Sequence, residues 1–473
     1  MRREPAFSPR RRAPGAHMIP ASGNLTPEEL RGAVASGEID TVIVAFTDMQ
    51  GRLVGKRVSA RLFLEDVMEH GAECCNYLLA VDVELNTVDG YALTSWESGY
   101  GDMAMIPDLG TLRRTPWLPG TALVIADLTL ASDHSPISVS PRQILKQQID
   151  RLAAHDLVPY VGTELEFLVF DDDYRSAWRR GYRDLIPASD YNTDYALHGS
   201  TRLEPLLRDI RNSMDAAGMY CEGVKGECNL GQQEIAFRYT HALPTCDNHS
   251  IYKSGSKEIA EKHGKSITFM AKFNEREGNS CHVHASLRTA AGDPVFADEH
   301  EPDGMSQTFR HFIAGQLAAM REFTLLYAPN INSYKRYVDG SFAPTAVAWG
   351  HDNRTCALRV VGRGQAMRVE NRVPGGDVNQ YLAVAGMLGS GLAGIEQQLE
   401  LGEPLRGNAY TSEVERVPTT LREAADLFEQ SALAREIFGD EVVEHYTHAA
   451  RVELRAYDAA VTDWERVRGF ERL

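Results

Sequence analysis

Two glutamates stand two residues apart in the stretch Val161-Gly-Thr-Glu164-Leu-Glu166-Phe-Leu-Val-Phe170. In a strand, residues i and i+2 face the same side. The pair therefore sets two carboxylates side by side among Val161, Phe167, Leu168, Val169 and Phe170. Anions held against an apolar layer repel one another and lose hydration, which is costly unless a cation balances them. A divalent metal taking carboxylate oxygens is the simplest balance. The ordinary alternative is a wet sheet face that happens to carry two acids.

The same pattern recurs downstream. Lys225-Gly-Glu227 and Gln232-Gln-Glu234 bracket a turn at Gly231. His282-Val-His284-Ala-Ser286 puts two imidazoles and a hydroxyl on one strand face, and Arg368-Val-Glu370-Asn-Arg372 does the same for two guanidinia and a carboxylate. Singly, each reads as a solvated face. Together they describe a sheet face lined by glutamates, histidines and arginines. Oxygen-rich ligands with one or two imidazoles suit Mg²⁺ or Mn²⁺ rather than structural zinc. Arginines beside them suit carboxylate and phosphate clamps. Metals, acids and phosphate clamps together point to phosphoryl transfer from a nucleotide. No Walker loop is present, and Gly362-Arg-Gly364 is too short to serve as one. Cys281 lies beside a histidine and reads as a small buried strand residue rather than a nucleophile.

Elements able to position these groups follow from capping and periodicity. Thr26-Pro-Glu-Glu29 and Ser140-Pro-Arg-Gln143 open helices, the second running to about His155. Thr41 to Phe46 and Leu53 to Val58 read as paired strands about a turn at Asp48 to Gly51; Ala60 to His70 reads as helix. A polar stretch from Ala131 to Ile137 reads as a linker. Beyond it come a helix from Arg202 to Ala217 and strands at Glu234 to Tyr239, Ser280 to Leu287 and Ala357 to Pro374. Helices dominate the last hundred residues, with a capping box at Thr420 to Glu423.

Composition sets the frame. The chain has 473 residues, enough for two or three domains, and 43% hydrophobic with 24% charged residues is ordinary for globular protein. A formal net charge of −17 argues against nucleic-acid or anionic-membrane partners. No apolar run approaches a membrane span. Residues 1–22 carry Arg2, Arg3, Arg10, Arg11 and Arg12 without an apolar stretch and read as a disordered leader, not a secretory signal. The cysteine count is odd, at seven, with no C-x-x-C, so a disulfide framework is not expected and a cytoplasmic location is.

Taken in order, Glu164-Leu-Glu166, Glu227-x6-Glu234, His282-Val-His284-x-Ser286, Asn332-Ser-Tyr-Lys-Arg336, Asn353-Arg354-x4-Arg359 and Arg368-Val-Glu370-Asn-Arg372 resemble the glutamine synthetase family. The resemblance runs from about Thr26 over nearly the whole chain. It implies an α+β architecture: a small N-terminal β-grasp domain (23–133) and a catalytic ATP-dependent ligase domain (134–473) with a curved antiparallel sheet lined by helices. It implies ring-shaped homo-oligomers, usually dodecamers in the bacterial branch of the family, with active sites between subunits. It implies two or more Mg²⁺ or Mn²⁺ ions and ATP as co-substrate. Glu166, Glu227 and Glu234 match ligands of the metal beside glutamate; Glu164, His282 and Glu370 match those of the metal on the nucleotide phosphates. Gly278, Arg336 and Arg372 match glutamate-binding positions. Arg354 and Arg359 match the catalytic arginines on the phosphoryl group, and Glu222, His284, Ser286 and Arg368 match positions lining the nucleotide.

Two departures bear on the nucleophile. Where glutamine-forming relatives carry a glutamate that helps deprotonate ammonium, this chain reads Arg336-Tyr-Val-Asp-Gly-Ser-Phe342. Their Asp-Gly-Ser-Ser stretch is also missing; the region reads Glu73-Cys-Cys-Asn-Tyr77. Ammonium needs anions around it and sits poorly against a phenyl ring alone. A small organic amine would bring its own carbons to Phe342 and Tyr77. The resemblance therefore implies a γ-glutamylamide synthetase acting on glutamate, ATP and ethanolamine or a polyamine. The alternatives are ordinary glutamine synthetase and a catalytically silent scaffold. Glu277 stands where those relatives have an asparagine near glutamate, and Tyr410 aligns with a tyrosine that some relatives adenylylate, though an ordinary loop tyrosine fits equally.

Overall fold

The computed structural model describes residues 23–473; the expected leader lies outside them. The first sheet holds six strands: β1 (Thr41–Thr47), β2 (Leu53–Ser59), β3 (Ala72–Cys75), β4 (Asp102–Pro107), β5 (Arg113–Arg114) and β6 (Thr121–Leu130). Its order is β2-β1-β6-β4-β3, with β5 also on β6 and with β1 and β6 parallel. Val42 and Val44 enter the core while Thr41 and Ile43 stay half-buried, an alternation that ends at Ala45, Phe46 and Thr47, which are all buried. Thr26 caps the helix Pro27–Ala35 through the expected capping box. The helix expected over residues 60–70 forms, but as α-turns flanking a π-helical segment at Phe63–Val67.

The second sheet carries the charged motifs. Its strands are β7 (Leu157–Phe170), β8 (Cys221–Gly226), β9 (Gln232–Phe237), β10 (Thr240–His241), β11 (Ser266–Thr268), β12 (Cys281–Thr289), β13 (Ala346–His351), β14 (Cys356–Val361) and β15 (Arg368–Asn371). The order is β13-β14-β15-β12-β7-β9-β8, with β10 and β11 on the ends of β7. Every pairing is antiparallel except β13 with β14, which is parallel, so the expected antiparallel sheet needs that correction. The stretch expected as strand from Ala357 to Pro374 is a hairpin, β14 and β15. It turns at Gly362, whose φ of +80° and whose place against the Ala366 carbonyl exclude a side chain.

Two helices, α1 (Pro141–Ala153) and α2 (Ala242–Lys262), pack on β7, and α3 (Gln380–Glu396), buried from Gln380 to Gly394, packs on those helices and on the helix Gln307–Ala319. The expected helix from Arg202 forms over Glu204–Ala216. Arg142 on α1, nearly buried, donates to Asp108 and Asp127 beside the first sheet and to Asp247 on α2, at 2.6–3.0 Å. Asn379 donates to the carbonyls of Asp48 and Met49, fixing the β1–β2 turn on the head of α3. These charge-assisted and buried bonds set the two sheets in one arrangement. No helix among the described residues is long and apolar enough to cross a membrane.

Candidate active site

Strand registers assemble the site. Glu164 on β7 lies opposite His282 on β12, and Glu166 lies opposite Glu234 on β9. Glu234 in turn faces Lys225 on β8; His284 faces Glu370 on β15, and Glu370 faces Arg359 on β14. Residues directly opposite in antiparallel strands stand about 5 Å apart at Cβ. The period of two keeps all these side chains on one face.

Two ligand sets result. Carboxylate oxygens of Glu166, Glu227 and Glu234 lie within 4.8 Å of one another. On the other side, His282 Nδ1 stands 3.4 Å from Glu164 Oε2 and 3.5 Å from Glu370 Oε1. His284 also joins Glu164 and Glu370 within 4.8 Å, its Nε2 being 3.0 Å from Glu164 Oε1. Arg368 Nε donates to His284 Nδ1 at 3.2 Å. That bond makes Nδ1 the accepting nitrogen of the His284 ring, with Nε2 buried beside Glu164. His282 is left as the imidazole whose Nδ1 faces both carboxylates; its Nε2 is buried and has no partner among the described residues. Oxygen-rich sets with one open imidazole fit a hard divalent cation.

The electrostatics match this division. Burial and the neighbouring Glu164 push the Glu234 carboxyl up to about 8, against the pull of Lys225. Burial would also raise Glu164, but hydrogen bonds to His282 and His284 hold it far below the usual carboxylate range. An imidazole N–H supplies that bond whether or not the ring is charged. Glu370 is wholly buried; burial would raise it, and His282 and Arg372 hold it low. Burial and Arg372 lower His282. Lys225 is paired with Glu227, lies 3.8 Å from Glu234 and sits 4.9 Å over the Tyr195 ring.

Above the floor lie two cavities. One, of ≈320 Å³, is walled by the six candidate metal ligands together with Gly278, Arg354, Arg359, Arg372 and Phe342. The other, of ≈440 Å³, is walled by Glu222, His284, Ser286 and Arg368. Glu164 belongs to both walls, so the cavities meet there. Arg359 spans Glu370 Oε2 (2.9 Å) and Asp352 Oδ1 (3.0 Å). Arg372 pairs with Glu370 and donates to the Arg354 carbonyl at 3.2 Å. Gly278 leaves no room for a Cβ, which would meet the Ala271 carbonyl oxygen at 2.2 Å.

Several expectations are displaced. Arg336, only 1% exposed, does not wall either cavity. Its guanidinium donates to the Val373 and Arg372 carbonyls and to Ser280 Oγ at 2.8–3.0 Å, so it props the strand end that carries Arg372. Tyr77 sits in the short turn Asn76–Leu79, 6.3 Å ring to ring from Tyr100, and does not join Phe342 in the cavity wall of its own chain. Cys281, by contrast, is the fully buried strand residue expected, its thiol pushed up to about 12 by burial. Tyr410 is buried in the turn Ala409–Thr411.

Other residues of the site escaped sequence reasoning. Gln232 Nε2 donates to Glu166 Oε2 at 3.0 Å and to the Gly278 carbonyl at 2.9 Å; the Ser280 N–H donates to the same Glu166 oxygen at 2.7 Å. These bonds aim Glu166. Gln232 is two residues before Glu234, so strand period could have found it. Asp194 and Tyr195, which wall the first cavity, come from an irregular stretch without periodicity.

A family model, "Glutamine synthetase, catalytic domain", matches residues 138–468. The chain is 64% identical over 446 residues to γ-glutamylethanolamide synthetase GlnA4 of Streptomyces coelicolor, covering 94% of this chain and 96% of that one. It is 38% identical to the glutamate–isopropylamine ligase of a Pseudomonas species, covering 93% and 97%. Among solved structures, apo GmaS superposes with a TM-score of 0.82 at 29% identity, covering 93% and 98%. By sequence and by fold alike, the chain belongs to the glutamine synthetase family.

Proposed function

We propose that this chain is an ATP-dependent glutamate–amine ligase. It moves the γ-phosphoryl group of ATP to the γ-carboxylate of glutamate, and an organic amine of the ethanolamine or polyamine class then displaces phosphate. The products are a γ-glutamylamide, ADP and phosphate. The observation that carries the reading is Phe342 in the wall of the cavity that holds Glu166, Glu227 and Glu234. A phenyl ring there favours an acceptor with carbons over bare ammonium. The similarity to a γ-glutamylethanolamide synthetase and a glutamate–isopropylamine ligase supports it.

Family ligases of this kind use ATP and divalent metal ions. Here Glu166, Glu227 and Glu234 would hold one Mg²⁺ or Mn²⁺, and Glu164, His282 and Glu370 a second. When bound, such ions offset charge on the entering and leaving oxygens of an in-line transfer. The nucleotide falls to the second cavity, with Glu222, His284, Ser286 and Arg368 around it. Arg354 and Arg359, in the wall of the first cavity, would face the transferring phosphoryl group. Arg372 and Gly278 receive glutamate, with Arg336 holding Arg372 in place. We infer the domains 23–133 and 134–473, in keeping with the two sheets, and a ring-shaped homo-oligomer, a dodecamer, with sites between subunits. A neighbouring copy's Tyr77 would then complete the amine pocket. All seven cysteines are unpaired, which supports a reducing cytoplasm.

The test is phosphate release with glutamate and ATP across ethanolamine, putrescine, spermidine, methylamine and ammonium. An alkylamine is expected to give the highest kcat/KM. Ammonium outperforming every amine would overturn the reading.

A further inference from the structure

The loop from Val338 to Thr345 is held from two sides. Phe342 at its tip has φ +59°, a left-handed conformation that a bulky residue keeps only when its surroundings impose it. From the cavity side, Arg372 Nη2 reaches the Phe342 carbonyl at 3.4 Å. From behind, the Tyr410 hydroxyl donates to the next carbonyl, that of Ala343, at 3.0 Å in a buried setting. Tyr410 is itself fixed. Arg416 donates to the Tyr410 and Ser412 carbonyls at 2.9 and 2.8 Å and to Thr345 Oγ1 at 3.1 Å. Ala346, Ala348, Cys356 and Ala409 form a small separate core, whose short side chains let the Tyr410 turn lie close against β13 and β14.

We propose that Tyr410 is a positioning residue for the acceptor side of the site. Its hydroxyl pins the loop so that the Phe342 ring, 55% exposed, stands at the cavity wall and sets how the amine is admitted. The cost of one left-handed residue and the contribution of one buried hydrogen bond are of the same order, so this single hydroxyl can decide the loop's conformation. The consequence for catalysis rests on the reading of Phe342 as facing the acceptor. The bond also withdraws the Tyr410 oxygen from solvent, so the tyrosine acts as a latch and not as an exposed modification site.

The test is Tyr410→Phe in the full chain, which keeps the ring and removes only the oxygen. The expected result is a roughly 5-fold rise in KM for ethanolamine, the order expected for losing one buried hydrogen bond, with KM for ATP and glutamate changed less than about 2-fold. Amide hydrogen exchange at Val338 and Ser341 is expected to speed up by a similar factor. An unchanged amine KM with unchanged exchange would overturn the proposal, as would an equal rise in all three KM values. Should Tyr410→Phe fail to fold, Arg416→Gln, which loosens the same turn, is expected to give the same selective rise, and its absence counts against the latch. Failure of the ligase reading shows separately, as wild-type enzyme preferring ammonium; loop exchange in the variant still decides the latch.

Discussion

The floor of the site lies on adjoining strands whose registers set Glu166 opposite Glu234 and His284 opposite Glu370. Its rim comes from irregular segments around Asp194–Tyr195 and Val338–Thr345. The floor is nearly buried, and its charges answer one another: Glu370 between Arg359 and Arg372, Glu164 between two imidazoles. The rim is exposed at Tyr195 and Phe342, and the loop of Phe342 is held by side chains reaching its carbonyls and Thr345. Groups fixed by a ladder of backbone bonds cannot move one at a time, which suits charge that must be placed to a fraction of an ångström. Loops can change shape and composition without disturbing that ladder, which suits the choice of acceptor.

The strongest way to break the contrast is Glu166→Gln. It keeps an acceptor for Ser280 N–H and Gln232 but loses the charge. Turnover should fall by roughly 10³-fold, the scale of the several kcal/mol a bound divalent ion supplies, while the melting temperature stays near wild type. Near-normal turnover would show that the floor does not do metal chemistry. Glu370→Ala should act on the fold as well, because it strands Arg359 and Arg372 without their shared carboxylate. Urea unfolding is expected to show a loss of roughly 3–5 kcal/mol. A loss under 1 kcal/mol would mean the floor is not electrostatically closed.

Ligand binding should reinforce the floor in turn. Mn²⁺ with ATP at about 100-fold over Kd should add about 2.7 kcal/mol, reversed by chelator. A melting point that ignores both ligands would instead favour a silent scaffold. At the rim, Phe342→Glu should shift kcat/KM from ethanolamine toward ammonium by roughly tenfold, with stability little changed. The smallest effect is expected for Phe342→Gly. Relief of a positive φ and the extra freedom of the unfolded chain nearly cancel, so stability should move by under about 1 kcal/mol while amine KM rises. A large destabilisation there would make the rim part of the core and dissolve the distinction.

The acids, histidines and arginines of the floor were legible because strand period alone sorts residues onto faces. Glu164, Glu166, His282 and Glu370 needed no more than that to be grouped. The hairpin within 356–371 and the parallel β13–β14 pair were not, since pairing partners and direction depend on contacts far along the chain. Arg336 illustrates the other limit. Its motif suggested a substrate grip, yet its burial among the Arg372 and Val373 carbonyls makes it a prop as placed.

The sequence by itself determined which residue types share a strand face, the family to which the chain belongs and the absence of a glutamate at position 342. Those are local or patterned properties, carried by the order of residues. Only the tertiary structure decided that Gln232 and Ser280 aim Glu166, that Arg368 donates to His284, and that Tyr410 holds the loop of Phe342. Each joins residues separated by tens to more than a hundred positions. Hydrogen bonds act over a few ångströms of space, and no periodicity along the chain records which distant donor will arrive there.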